Sequence, residues 1–185
     1  MGARHTRVVS TPPGSVQRGL NMRHVRTFAI VASLLGLAGC YTADEPLLTD
    51  DNSVAPYAKI VFAEHGSSDA PDVMLRQGRV YVDHQKDSDR TLRFMPVRPD
   101  WYVAEMSGKD EDAAETLLYA LVHLDLANKT AETYASVGDE KDAGPGLRVC
   151  EAGVCIEDLG AYVAHALAKA DAGGKPDTVF DVSVE

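Results

Sequence analysis

Residues 90–106 read RTLRFMPVRPDWYVAEM, two runs of alternating side chains separated only by Arg98-Pro99-Asp100. Period-two alternation sends successive side chains to opposite faces of a strand. So short a connection turns the second run back beside the first, as an antiparallel pair. The same pattern extends upstream in KIVFAEH (59–65), VMLRQG (73–78) and RVYVDH (79–84), with Gln77-Gly78 suited to a turn. Downstream, TLLYALVHLDL (116–126) is apolar on both faces, as a central strand should be. A helix over 117–126 competes on length alone, but LANK followed by TAETYASV favours a hairpin. A last strand, TVFDVSV, covers 178–184. The expected fold is mainly β (α+β): an antiparallel meander, sandwich or barrel of about seven or eight strands.

One helix is expected. In EDLGAYVAHALAKADAGG (157–174), Leu159, Tyr162, Val163, Ala166, Leu167 and Ala170 recur at helical spacing and form a single apolar stripe. Asp158 can cap its start, and Gly173 or Gly174 its end. The stripe is expected to pack over one sheet face or a barrel end.

The chain has 185 residues, enough for one domain with a real core plus a targeting segment. Five of its 18 basic residues precede Cys40 and none of its 28 acidic ones does. The remainder carries 13 bases against 28 acids, a charge of about −15 with histidines neutral. Such a body repels phosphate backbones and anionic head groups, which argues against nucleic-acid binding and electrostatic membrane binding by the domain.

MRHVRTFAIVASLLGLAGC (22–40) has a basic start at Arg23, His24 and Arg26, an apolar middle and small residues at its exit, the organisation of a secretory signal. The apolar part, Thr27 to Gly39, has 13 residues. A membrane-spanning helix needs roughly 20. Leu37-Ala38-Gly39-Cys40 resembles the lipobox of bacterial lipoproteins at all four positions. The resemblance covers 22–40 and implies cleavage between Gly39 and Cys40, with Cys40 as the lipidated first residue of the mature chain. Two or more acyl chains, at about 0.8 kcal/mol per buried methylene, give stable anchoring. Tyr41, rather than Asp, follows the cysteine, which by analogy implies the periplasmic face of the outer membrane. The stretch 1–21 is basic and Pro/Gly-punctuated, and translation from Met22 would leave a compact signal. The expected organisation is thus a basic extension and signal over 1–39, a lipidated cysteine with an acidic tether over 40–57, and a strand-rich domain over 58–185. Stretched out, the tether would reach roughly 55 Å, although Leu47, Leu48 and Val54 could dock onto the domain.

Cys150 and Cys155 are separated by four residues in RVCEAGVCIED (148–158). Export places them in an oxidising compartment, and a tight hairpin can bring them together as a structural disulfide. Thiol redox work rests on the C-x-x-C spacing, which this pair lacks. No further ligands lie at zinc spacing, so no metal or cofactor is expected. His123 and Asp125 share a strand face and can form an acid–base pair, but a third partner is missing, and the expected reading is a strand end meeting solvent. Asp87-Ser88-Asp89, Asp110-Glu111-Asp112 and the run 139–142 read as solvated loops. Nucleophile-elbow, P-loop, paired-histidine and calcium-loop patterns are missing, and no catalytic residues are assigned.

Most aromatic residues of the domain, among them Tyr81, Phe94, Trp101, Tyr102, Tyr119 and Tyr134, fall in expected strands. They serve core packing, or line an apolar pocket if a barrel or sandwich leaves its interior unfilled. The overall plan resembles small envelope lipoproteins of Gram-negative bacteria. Three functional classes follow: a non-enzymatic envelope lipoprotein contacting another envelope protein, a binder of a small apolar ligand or lipid, and an enzyme of unrecognised type. A large exposed apolar patch would mark the first and an enclosed pocket the second.

Overall fold

The hairpin read at 90–106 is formed by β4 (Thr91–Arg98) and β5 (Trp101–Lys109). They pair antiparallel, Leu92 with Met106 and Phe94 with Ala104, and the register shifts between Pro96 and Arg98. Asp100 turns the chain in the left-handed region, at φ 63°. In this computed structural model the described residues are 41–85, 88–109, 115–134, 144–150 and 153–185. The lipobox residues and Cys40 lie outside them, as do the acidic runs at 110–112 and 139–142.

The other strands are β1 (Lys59–Glu64), β2 (Asp72–Gln77), β3 (Val80–Asp83), β6 (Glu115–Asp125), β7 (Thr130–Tyr134), β8 (Leu147–Cys150), β9 (Gly153–Ile156) and β10 (Thr178–Val184). Strands β1 to β7 form a meander, and β10 enters between β7 and β1 to close an eight-stranded antiparallel barrel in the order β1-β10-β7-β6-β5-β4-β3-β2. Closure leaves the barrel no unpaired edge. The expected β-rich antiparallel fold with one helix is the fold observed, in its barrel form.

Side-chain alternation sorts the apolar residues into two cores. Inward positions, including Ile60, Phe62, Leu92, Phe94, Val122 and Phe180, fill the barrel. Outward positions Val103, Leu117, Tyr119 and Leu121 are buried as well. That accounts for the two-sided apolar character of β6: one face looks into the barrel, the other lies beneath a cover. The cover is built from the β8–β9 hairpin, the helix α1 (Leu159–Asp171) and the segment 41–48.

The helix begins as its sequence suggests. Asp158 is extended, and its carboxylate accepts from the Ala161 N–H at 3.0 Å. Tyr162 and Ala166 on the apolar stripe are buried against the barrel wall. Gly146, at φ 78°, lies against the helix start, where a Cβ would meet the Asp158 carbonyl oxygen at 2.3 Å and the Tyr162 nitrogen at 2.4 Å. Only glycine allows this approach.

The tether expected over 40–57 is corrected for its described part. Tyr41 and Leu48 are 3 % and 2 % exposed. Tyr41 bridges Tyr119, Thr42 bridges Cys155 and Val54 bridges Phe94, so 41–57 is a strap laid across the barrel. The physical reason is the uncovered apolar outer face of β5 and β6, which Tyr41, Leu47 and Leu48 help to bury. The contacts are scattered and follow no helical or strand period.

Cys150 and Cys155 are joined by a disulfide, with Cα atoms 5.9 Å apart. The pair is diagonal rather than directly opposed: Cys150 faces Gly153 and Cys155 faces Arg148. Thr42 Oγ1 lies 3.2 Å from the Cys155 sulfur, so the staple also touches the strap.

Candidate functional site: an apolar cavity inside the barrel

Inside the barrel lies a cavity of about 90 Å³. Its wall is supplied by β1, β4, β5, β6, β7 and β10. Three wall positions on neighbouring strands, Ala104, Ala120 and Ala131, carry only a methyl group, and Ala104 and Ala120 directly oppose one another. Around them stand Phe62, Phe94 and Phe180. The space exists because alanines occupy inward positions that elsewhere hold Leu, Val or Phe.

Among the lining residues only Thr133 has a polar side chain, and its hydroxyl donates to the Thr178 carbonyl at 3.3 Å. Water entering such a wall would find almost no hydrogen-bond partner. Wall atoms that face unfilled space lack dispersion partners, which costs stability. Filling it with hydrocarbon would recover dispersion contacts and remove that cost.

The two ends of the barrel differ chemically. Where β2 begins, β3 ends and β4 is about to start, Arg90 is held between Asp72, at 2.5 Å, and Asp83. Its Nε also donates to Asp83 at 2.8 Å, while the Ser88 hydroxyl and the Gln85 N–H donate to the same carboxylate at 2.8 and 2.9 Å. Burial alone would push the Asp83 carboxyl up, but the hydrogen bonds from Gln85, Arg90 and Ser88 outweigh it and hold the group below its ordinary value. Gly108 makes room for this plug, since a Cβ there would stand 3.2 Å from Arg90 Cγ.

At the opposite end, where β1 and β5 begin, tyrosines gather. The buried Tyr81 hydroxyl accepts from the Tyr57 N–H at 3.0 Å and donates to the Tyr57 carbonyl at 3.1 Å, fastening the strap. The ring of Tyr102 lies 5.6 Å from that of Phe94 in the cavity wall. Burial first, then Asp100 in the case of Tyr57, and Tyr57 followed by Asp100 in the case of Tyr102, pushes both above the usual tyrosine value, so both remain neutral hydrogen-bond donors across ordinary pH.

Of the residues singled out in the sequence, His123 and Asp125 do not pair. His123 Nδ1 lies 3.2 Å from Glu132, and its ring stacks on Trp101 at 4.6 Å. Asp125 instead accepts from Asn128 in the turn, at 3.0 Å from N–H and 2.6 Å from Nδ2. The Arg98 guanidinium lies 4.3 Å from the Trp101 ring centroid and pairs with Asp171 of α1. Burial and a 3.0 Å hydrogen bond to Glu132 push Tyr134 up to about 12. The cluster holds the outer surface together and has no nucleophile in it. Of the six aromatic residues named in the sequence, Phe94 alone lines the cavity. Phe62, Phe180 and the three alanines escaped notice there, although small residues at alternate strand positions were a readable signal.

Among the described residues no three of His, Cys, Asp and Glu gather in a way that could hold a metal ion, and no helix is long and apolar enough to cross a membrane. Fold and site together define a closed antiparallel barrel with an apolar interior cavity, a charged plug at one end and tyrosines at the other. No protein-family model, curated protein or solved structure matches the chain.

Proposed function

We propose that this protein is a lipid-anchored envelope lipoprotein whose barrel holds a small apolar ligand. The observation that carries the reading is the cavity wall, with alanines at 104, 120 and 131 and Thr133 as its one polar side chain. Alanine at three inward positions on adjoining strands leaves space that larger side chains would otherwise pack. The ligand-holding class is preferred to docking on another envelope protein for a second reason. Among the described residues, the exposed large hydrophobics are Leu126 and Val149, which lie on separate elements and make no broad apolar patch.

The anchoring half rests on the lipobox-like Leu37-Ala38-Gly39-Cys40. The signal is cut between Gly39 and Cys40, Cys40 carries the acyl groups, and the outer membrane is its place. The role is non-enzymatic. Two measurements test the halves separately. Intact-mass analysis of wild-type and Cys40→Ser protein reads the anchor: the variant should remain an unprocessed, acyl-free precursor, and a normally cut and acylated variant would contradict it. Mass spectrometry of organic extracts from purified wild-type and Ala120→Leu protein reads the cavity. A hydrophobic molecule enriched only with the wild type supports the reading, and identical extracts count against it.

A further inference from the structure

We propose that the ligand is an uncharged amphiphile, with its hydrocarbon part in the cavity and a hydroxyl or carbonyl oxygen at the Tyr57–Tyr102 end. This rests on the reading of the barrel as a ligand holder and adds the ligand's charge and direction.

The charged plug fixes the direction. Arg90 lies across the space above Gly108 with its guanidinium engaged by Asp72 and Asp83, whose side chains are 5 % and 0 % exposed. One cation between two carboxylates leaves that end negative and already hydrogen-bonded. A polar head group placed there would have to displace a buried ion pair, and an anionic one would also be repelled.

The tyrosine end offers what the plug does not. Tyr102 is the next inward residue on β5 after Ala104, and Tyr57 packs against the same interior cluster. Tyr57 makes its bonds to Tyr81 through its backbone, and among the described residues neither the Tyr57 nor the Tyr102 hydroxyl has a hydrogen-bond partner. The Tyr102 ring, 5.6 Å from that of Phe94 in the cavity wall, brings one of these neutral donors to this end of the barrel. Both signs of charge act near the tyrosines: Asp100 acts on Tyr57 and Tyr102, and Arg76, which donates to the Ala55 carbonyl at 3.3 Å, acts on Tyr81. A carboxylate or an ammonium would each meet like charge there, and the strongly acidic domain disfavours the carboxylate further. An uncharged head meets only hydrogen-bond donors.

Photolabelling of the full-length protein in envelope membranes tests the proposal. Three probes of equal length carry a diazirine at the chain terminus: a straight-chain alcohol, the corresponding carboxylic acid and the headless alkane. The alcohol should label the wall nearest the plug, at Leu92, Met106 or Leu118, and should do so several-fold more than the acid. Changing both Tyr57→Phe and Tyr102→Phe should lower labelling by the alcohol roughly tenfold and leave the alkane unaffected, the loss expected for two hydrogen bonds. Acid labelling equal to the alcohol's, or labelling by the chain terminus at the tyrosine end, would overturn the proposal while leaving the cavity as a ligand site. Failure of the alkane itself to label the cavity wall would overturn both readings.

Discussion

Glu105 and Tyr119 stand directly opposite each other on β5 and β6, and the Tyr119 hydroxyl donates to Glu105 at 2.6 Å on the outer face of the barrel. The same carboxylate oxygen accepts the N–H groups of Leu47 and Leu48 at 3.1 and 3.0 Å. Glu105 is 3 % exposed, so one buried carboxylate fastens the strap to the wall. Burial and the Glu105 hydrogen bond push Tyr119 well above the usual tyrosine range, and the hydroxyl stays a donor.

Glu105→Ala should therefore cost about 3 kcal/mol, because it leaves buried donors without an acceptor. Urea unfolding measures the loss, and amide exchange at Leu47 and Leu48 should accelerate more than exchange in the lumen-facing strands. An unchanged midpoint with unchanged exchange would show that the strap is held by its apolar contacts alone.

Filling the cavity should separate stability from binding. Ala120→Val adds two methyl groups where there is space for them, and should raise stability by on the order of 1 kcal/mol while weakening uptake of an apolar ligand. Thermal unfolding and a binding titration on the same preparation give both readouts. Lower stability with unimpaired uptake would mean that the wall at 120 is already full.

The β8–β9 staple closes a short loop, so the double variant Cys150→Ala, Cys155→Ala should lose only about 2 kcal/mol and keep the barrel. Denaturant unfolding and circular dichroism decide it. Collapse of the whole fold would show that the hairpin organises the outer core rather than covering it.

The plug sets part of the acid response. Asp83 has its folded pKa depressed, so its contribution is fully present above the unfolded value of about 3.9 and is lost as pH falls through the lower folded value. Asp83→Asn should flatten the stability profile in that acidic window and lower stability at neutral pH. An identical acid slope in both proteins would assign the response to other carboxylates.

Much of this architecture was written locally in the chain. Alternation around Arg98-Pro99-Asp100 gave the β4–β5 hairpin, the two-sided apolar run at 116–126 implied cover on both faces, and Asp158 marked the helix start. What escaped notice depends on partners distant in sequence. β10 finds its place between β7 and β1 only when the barrel closes. The strap looked like a tether because its acidic residues face solvent and its few apolar ones, Tyr41, Leu47 and Leu48, dock at irregular intervals. Glu105 alternates correctly to the outer face, yet nothing local announces that this face is covered. The cavity was legible only as a class of outcome: alternation identifies inward positions, but three alanines become a void only when β5, β6 and β7 align them.

Methyl NMR of the alanine-labelled protein during titration with a straight-chain alcohol tests ligand entry into the barrel. Saturable shifts of the Ala104, Ala120 and Ala131 methyl resonances are expected, with the Ala166 methyl beneath α1 unmoved. Saturating alcohol that leaves all three lumen methyls in place would contradict that entry.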